Sequence, residues 1–324
     1  MHGGPLELPF VIVHTHTSVP VGVRPKQANR PSSALSTRSL AGALGVSESS
    51  IKRWVDDGLL PARRTAGGHR RISVPDAVRF VRTARLPVAH PHRLGLADVE
   101  RGRASVGTES DVDRLARCLL AGGAGDAPGF LADLYLRGES LATIIDTTMR
   151  GAMASIGEIW RREPRGIFLE HRATDVCVQA LHRLRALVPA PPPGALRMLG
   201  GAAPGDPYVL PSLAVSVALA DAGVHATNLG ADVPLATLAD AAEREAVSLV
   251  WLSASVSADS TRLVRDLNAM VERLARRSII TVVGGRLGSS LALAPSTSLH
   301  RATTLGELVA FVRGLTRARR PVRR

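Results

Sequence analysis

The chain has 324 residues, of which 45% are hydrophobic and only 3% aromatic, and 41 Lys and Arg against 28 Asp and Glu leave a net charge of +13. This length allows two or three domains with Ala, Leu and Val cores, and the basic excess favours a polyanionic partner. Two widely separated cysteines, Cys118 and Cys177, exclude a disulfide framework and a Cys-x-x-Cys metal site, and no apolar run reaches the ~20 residues of a membrane span.

Residues 1–35 mix Pro, Gly, Ser and Thr without a period and read as a flexible leader. They have no charged start followed by an apolar stretch, so the expectation is a soluble, cytoplasmic protein with no membrane partner. His14 and His16 would need further ligands to hold an ion, and no metal site is predicted.

From Ser36 to Arg82 the pattern becomes regular. Leu40, Ala41 and Leu44, then Val46, Ile51 and Trp54, place apolar groups at helical spacing on both sides of Gly45, as two short crossed helices require. Ser47 is the predicted cap of the second helix, its hydroxyl accepting from an amide near Ser49 or Ser50. That cap puts Ser49, Ser50, Lys52 and Arg53 near the helix start. Gly58 and Pro61 stop the helix. Next, Arg63, Arg64, His69, Arg70 and Arg71 flank a glycine-hinged hairpin suited to gripping phosphates. Twelve Lys and Arg between residues 30 and 93 oppose Glu48, Asp56, Asp57 and Asp76, a local +8, and six arginines without an acid follow Leu308.

The helix, turn, helix and GGHRRIS hairpin resemble the winged helix-turn-helix of the MerR family. The resemblance covers residues 36–85 and implies double-stranded DNA as partner. The start of the second helix would enter the major groove, and the hairpin would act as a basic wing.

Residues 86–107, with Pro87, His90, Pro91 and His92, read as a linker. From 108 to 190 the apolar spacing predicts a four-helix bundle, with Glu163, Pro164, Arg165 and Gly166 breaking the third helix from the fourth. That break brings Trp160 near Glu170 and His171. Residues 195–316 alternate strand and helix, predicting a doubly wound, Rossmann-like or flavodoxin-like α/β domain, and a basic tail closes the chain at 317–324. The fold class is thus multidomain. Such a sheet opens its ligand crevice at the strands' carboxyl ends, where Asp206, Tyr208, Ser253, Ser255, Gly284 and Gly285 fall.

Trp160, nine residues, then Glu170 and His171 resemble the helical cap of the CarH and LitR group of cobalamin-dependent photoreceptor repressors, whose DNA module is also MerR-like. LGADVP at 229–234 and VVGG at 282–285 resemble the cobalamin-binding fold. The resemblance implies that Trp160 and Glu170 cover the adenosyl face of the corrinoid, that the glycine pair makes room for its nucleotide tail, and that the chain is an oligomeric repressor. The family's Asp/Glu-x-His-x-x-Gly motif, whose His ligates cobalt, aligns with Asp206 to Pro211 and puts Tyr208 at the His position. Arg161 stands where some members have a second His. The cofactor expected is adenosylcobalamin without His ligation. The alternative is a DNA-binding regulator whose sensor takes another flat ligand, such as a tetrapyrrole, or none and serves only in oligomerisation. An enzyme or corrinoid carrier would need the missing histidine, so no enzyme is expected.

Overall fold

Five serines set the helical register of the first half of the chain. Ser36, Ser47, Ser73, Ser110 and Ser140 each turn a hydroxyl back to accept from the backbone N–H three residues on, satisfying a donor that the first helical turn leaves open. The computed structural model describes residues 34–104, 109–122, 126–160 and 166–318. The leader, apart from its last two residues, and most of the basic tail lie outside them.

The head consists of β1 (Leu35–Ser36), α1 (Thr37–Leu44), α2 (Glu48–Asp56), β2 (Arg63–Arg64), β3 (Arg70–Ile72) and α3 (Val74–Ala84). Gly45 turns the chain between α1 and α2 with a φ of +68°, a left-handed conformation that glycine adopts without penalty. The three strands form an antiparallel sheet in the order β1-β3-β2. Sequence reading assigned Leu35 to the leader; it is instead buried in β1, opposite Ile72.

The segment 86–107 departs from the linker expected there. It holds a 3-10 turn (Pro91–Leu94) and α4 (Ala97–Ala104), with Leu94, Leu96 and Val99 buried. Helix α4 packs on α6 (Asp126–Leu136), and at Gly102 and Gly129 the backbones cross too closely for a Cβ. Prolines and mixed charges suggested a hinge, but two of the charges, Asp98 and Arg103, are paired with other parts of the chain. Arg103 bonds Asp133 at 2.6 Å and the Val88 carbonyl at 2.7 Å, and Arg183 takes Asp98 in a two-pronged pair at 3.0 and 3.1 Å.

Four helical stretches occupy the next region: α5 (Asp111–Leu120), α6, a run of α7 (Leu141–Thr143), a π-helical segment (Ile144–Met149) and α8 (Arg150–Trp160), and then α9 (Gly166–Leu187). One apolar core runs from Leu40 and Ile51 of the head through Phe130, Leu134 and Leu181 to Val217. Cys118 and Cys177 are buried free thiols within it.

The last region holds β4 (Arg197–Ala202), α10 (Val209–Asp221), β5 (His225–Asn228), α11 (Leu235–Arg244), β6 (Leu249–Ser253), α12 (Ser260–Ala275), β7 (Ile280–Gly284), β8 (Leu299–Arg301) and α13 (Leu305–Ala318). Its sheet is parallel throughout, in the order β5-β4-β6-β7-β8. Leu219, Leu308 and Val312 cover one face, Leu238, Leu267 and Leu274 the other. Strand β8, three residues reading Leu-His-Arg, carries no apolar alternation and was not foreseen. The strand order reverses direction between β4 and β6, where doubly wound sheets open their crevice. No helix among the described residues is long and apolar enough to cross a membrane.

Candidate functional site

Two surfaces carry the residues singled out by sequence. On the head, the Ser47 oxygen accepts from the Ser50 amide at 3.1 Å and meets the hydroxyls of Ser49 and Ser50 at 2.8 and 2.9 Å. Lys52 pairs with Glu48 at 3.3 Å. Arg53 is exposed and has no acidic partner among the described residues.

The hairpin from β2 to β3 closes through the Gly68 amide on the Thr65 carbonyl at 2.9 Å and the Thr65 amide on that of His69 at 3.0 Å. Its register sets Arg63 opposite Arg71 and Arg64 opposite Arg70. Opposed residues share a face, so each face holds two like charges, an arrangement that is unfavourable unless an anion sits over it. On one face the anion is internal: Arg70 pairs with Asp56 of α2 at 2.6 Å and is only 21% exposed. The exposed Arg63 and Arg71 have no acid among the described residues. Arg70, expected among the phosphate-gripping arginines, ties the hairpin to α2 in this structure; the pairing spans fourteen positions and left no local signal. His69 stands exposed at the tip.

The second surface is a cleft of about 740 Å³ between α8 and the carboxyl end of the sheet. Met149, Met153, Glu170, Tyr208, Pro211 and Arg286 line it. Four of its lining residues, Ile145, Arg150, Pro211 and Ala214, also line a narrower slot of about 170 Å³. The slot is bounded by Trp251, Ser253, Gly284, Gly285 and Leu308. Arg150 and Arg286 were not anticipated, because 136 positions separate them and only the fold brings them to one cleft.

Glu170 and Tyr208, thirty-eight positions apart, thus share the cleft. His171 does not; it points outward, with its ring nitrogen 3.6 Å from Glu170. The side chain of Trp160 and residues 161–165, with Arg161, lie outside the described part. Asp206 is fully buried, its carboxylate accepting from the amides of Ser255 at 2.6 Å and Tyr208 at 3.1 Å. It joins the loops after β4 and β6 and is absent from both cavity linings. Ser255 gives its amide to that joint and lines neither cavity.

Gly284 and Gly285 border the slot, but their close approaches are to protein: a Cβ on Gly285 would lie 2.6 Å from the Ala254 carbonyl, and one on Gly284 2.9 Å from that of Ala302. Tyr208 is 45% exposed at the cleft mouth. No histidine lines the cleft or the slot among the described residues. The cleft and the slot are mostly apolar, with the guanidinium groups of Arg150 and Arg286 among the lining residues. The same donor set offers no imidazole to a metal at its centre.

Fold and surfaces together define a basic head of helices and hairpin fused to a helical layer and a five-stranded parallel α/β unit. Residues 36–72 match the family model described as MerR family regulatory protein, so the head contains a MerR-family domain. Helix α3 lies beyond the matched span. No curated protein matches the chain in sequence. Solved structures similar in fold include the monomethylamine corrinoid protein of Methanosarcina barkeri, at 16% identity and a TM-score of 0.45, covering 63% of this chain and 98% of that one. A cobalamin-binding protein from Desulfitobacterium hafniense has 14% identity and a TM-score of 0.31, covering 63% and 97%. The methanol:cobalamin methyltransferase complex MtaBC from Methanosarcina barkeri has 15% identity and a TM-score of 0.31, covering 67% and 83%.

Proposed function

We propose that this protein is a DNA-binding transcriptional regulator whose head works as a winged helix-turn-helix and whose C-terminal half, a four-helix cap over an α/β unit, is a ligand sensor. The observation that carries the reading is the opposed pair Arg63 and Arg71, exposed and without an acid among the described residues, in a domain of the MerR family. A phosphate backbone supplies the anion that this face lacks. Ser49 and Ser50 at the start of α2, and Arg53 in its last turn, read base edges. The test is binding of the full chain to duplex DNA by fluorescence anisotropy across salt concentrations; indifference to every duplex in dilute buffer would end the proposal.

The sensor reading is a corrinoid that the cleft and slot residues would enclose, with Tyr208 standing where the resembled family has its imidazole. Bound adenosylcobalamin would supply a light-labile cobalt–carbon bond. The protein's part would be positional: Met149 and Met153 would give a soft apolar wall, Arg150 and Arg286 would hold polar groups of the ligand, and Glu170 would accept a hydrogen bond from it. The ligand then shifts a population of oligomeric states, and pairing of heads sets affinity, because one head grips one half-site. In this reading the protein is a repressor that assembles as a homo-oligomer in the cytoplasm and catalyses no reaction.

The absence of a histidine from the cleft lining among the described residues favours a second reading, in which the same regulator binds no cobalamin and its cleft takes another planar ligand, such as a tetrapyrrole, or none. Visible spectra of the protein with and without adenosylcobalamin, followed by size-exclusion chromatography in dark and light, separate the two. The first reading expects a protein-bound corrinoid spectrum and a light-dependent elution volume, the second neither.

A further inference from the structure

The bend between the head and the helical layer brings together three metal-ligating side chains, His90, His92 and Glu100, whose donor atoms all lie within 4.8 Å of one another. They come from two elements. His90 and His92 flank the start of the 3-10 turn, their ring centroids 5.8 Å apart, and Glu100 projects from α4 to meet Nδ1 of His92 at 2.5 Å.

The backbone beneath them is already shaped. The Gly95 amide bonds the His92 carbonyl at 2.9 Å, the Leu96 amide that of Pro91 at 3.1 Å, and Gly95 has a φ of +77°. Leu94, Leu96 and Val99 are buried on the inner side, which leaves the donors on the outer side. The bend is anchored at both ends as well. The His90 amide bonds the Ala43 carbonyl of α1 at 3.0 Å, and Arg183 of α9 clasps Asp98 and the Gly95 carbonyl.

We infer that His90, His92 and Glu100 form a site for a borderline divalent cation of the zinc class, with solvent completing a four-coordinate shell. Two neutral imidazoles and one carboxylate are a donor set that suits Zn²⁺ and its spectroscopic substitute Co²⁺ better than Mg²⁺ or Ca²⁺, which prefer oxygen alone. Without the ion, His92 and Glu100 form an exposed pair. With it, both would turn their donor atoms to a common centre, at the cost of side-chain rotation but not of backbone rearrangement. The ion would then staple the 3-10 turn to α4, stiffening the connection by which the head is held to α9.

The test uses the full chain without an affinity tag, stripped with EDTA and titrated with Co²⁺ and then Zn²⁺. One equivalent of Co²⁺ is expected to give visible bands that Zn²⁺ abolishes. His92→Ala and Glu100→Gln are each expected to weaken uptake by about tenfold or more, since even loss of an outer-shell partner costs ~10–100-fold, whereas His182→Ala, at an exposed histidine outside the cluster, leaves it unchanged. Uptake unaltered in both cluster variants, or no saturable uptake by the wild type, would overturn the assignment.

Discussion

The Tyr135 hydroxyl donates to a carboxylate oxygen of Asp221 at 2.7 Å, joining α6 of the helical layer to the end of α10 in the α/β unit. The same tyrosine ring lies under the Arg82 guanidinium of α3, 3.6 Å from its centroid, and Arg82 also donates to the Tyr135 and Glu139 carbonyls. Asp221 uses its other oxygen to hold the Leu141 amide at 3.0 Å. Head, helical layer and α/β unit therefore meet at one buried phenol, whose pKa is raised by burial and then by the Asp221 charge.

Tyr135→Phe removes the hydroxyl and leaves one Asp221 oxygen unpaired while the ring beneath Arg82 stays. Stability should fall by about 1.5–3 kcal/mol, the range for a hydrogen bond to a charged group, read as a lower urea midpoint. If the contact also transmits state between sensor and head, DNA affinity should become less responsive to the sensor's ligand in the same variant.

The hairpin arginines should separate by salt dependence. Arg71→Ala removes a phosphate contact, so the slope of log affinity against log salt should drop by about 1. Arg70→Ala instead frees Asp56 and loosens the hairpin from α2, so affinity should fall with a much smaller change in slope. Anisotropy titrations at four salt concentrations distinguish these outcomes, and equal slope losses would contradict the face assignment. Ser49→Ala and Arg53→Ala should change which sequence a random duplex pool enriches.

Asp206→Ala would strip the Ser255 and Tyr208 amides of their shared acceptor at a fully buried position. A loss of about 3 kcal/mol is expected from two lost charge-assisted bonds, measurable by chemical denaturation. Tyr208→His, at the exposed cleft mouth, should be tolerated structurally. On the corrinoid reading it should alter the visible spectrum of bound adenosylcobalamin relative to wild type, and an unchanged spectrum would remove Tyr208 from beneath the ring.

Burial pushes the Cys177 thiol up to about 12 from an ordinary value of 9.0. Because the folded state favours the neutral thiol, its contribution to stability is fully present below pH 9.0 and is lost as pH rises through that value toward 12. Iodoacetamide at pH 8 should therefore leave Cys177 unmodified in the native protein and alkylate it in urea, as followed by peptide mass analysis.

Much of the head was legible because its determinants are local. Gly45 between two apolar periods, a serine cap on α2 and a glycine turn between arginine pairs act over a few residues each, as does the alternation that built the parallel sheet. Long-range electrostatics was not legible. Nothing near Arg70 in the chain predicts that Asp56 will take it, nor near Asp206 that it will turn inward to the Ser255 amide. The segment 86–107 misled for the same reason: its charges looked solvated, whereas Arg183, eighty-five positions from Asp98, neutralises one of them.

What the sequence alone determined, then, was the order of the α1–α2 and hairpin elements of the head and of most strands and helices of the α/β unit, since helix periods, caps and turns are set by neighbours a few residues apart. Only the tertiary structure decided which charges stay free for a partner, which residues share the cleft, and that one phenol joins three parts of the chain. Those outcomes depend on distances between groups far apart in sequence, which packing alone establishes.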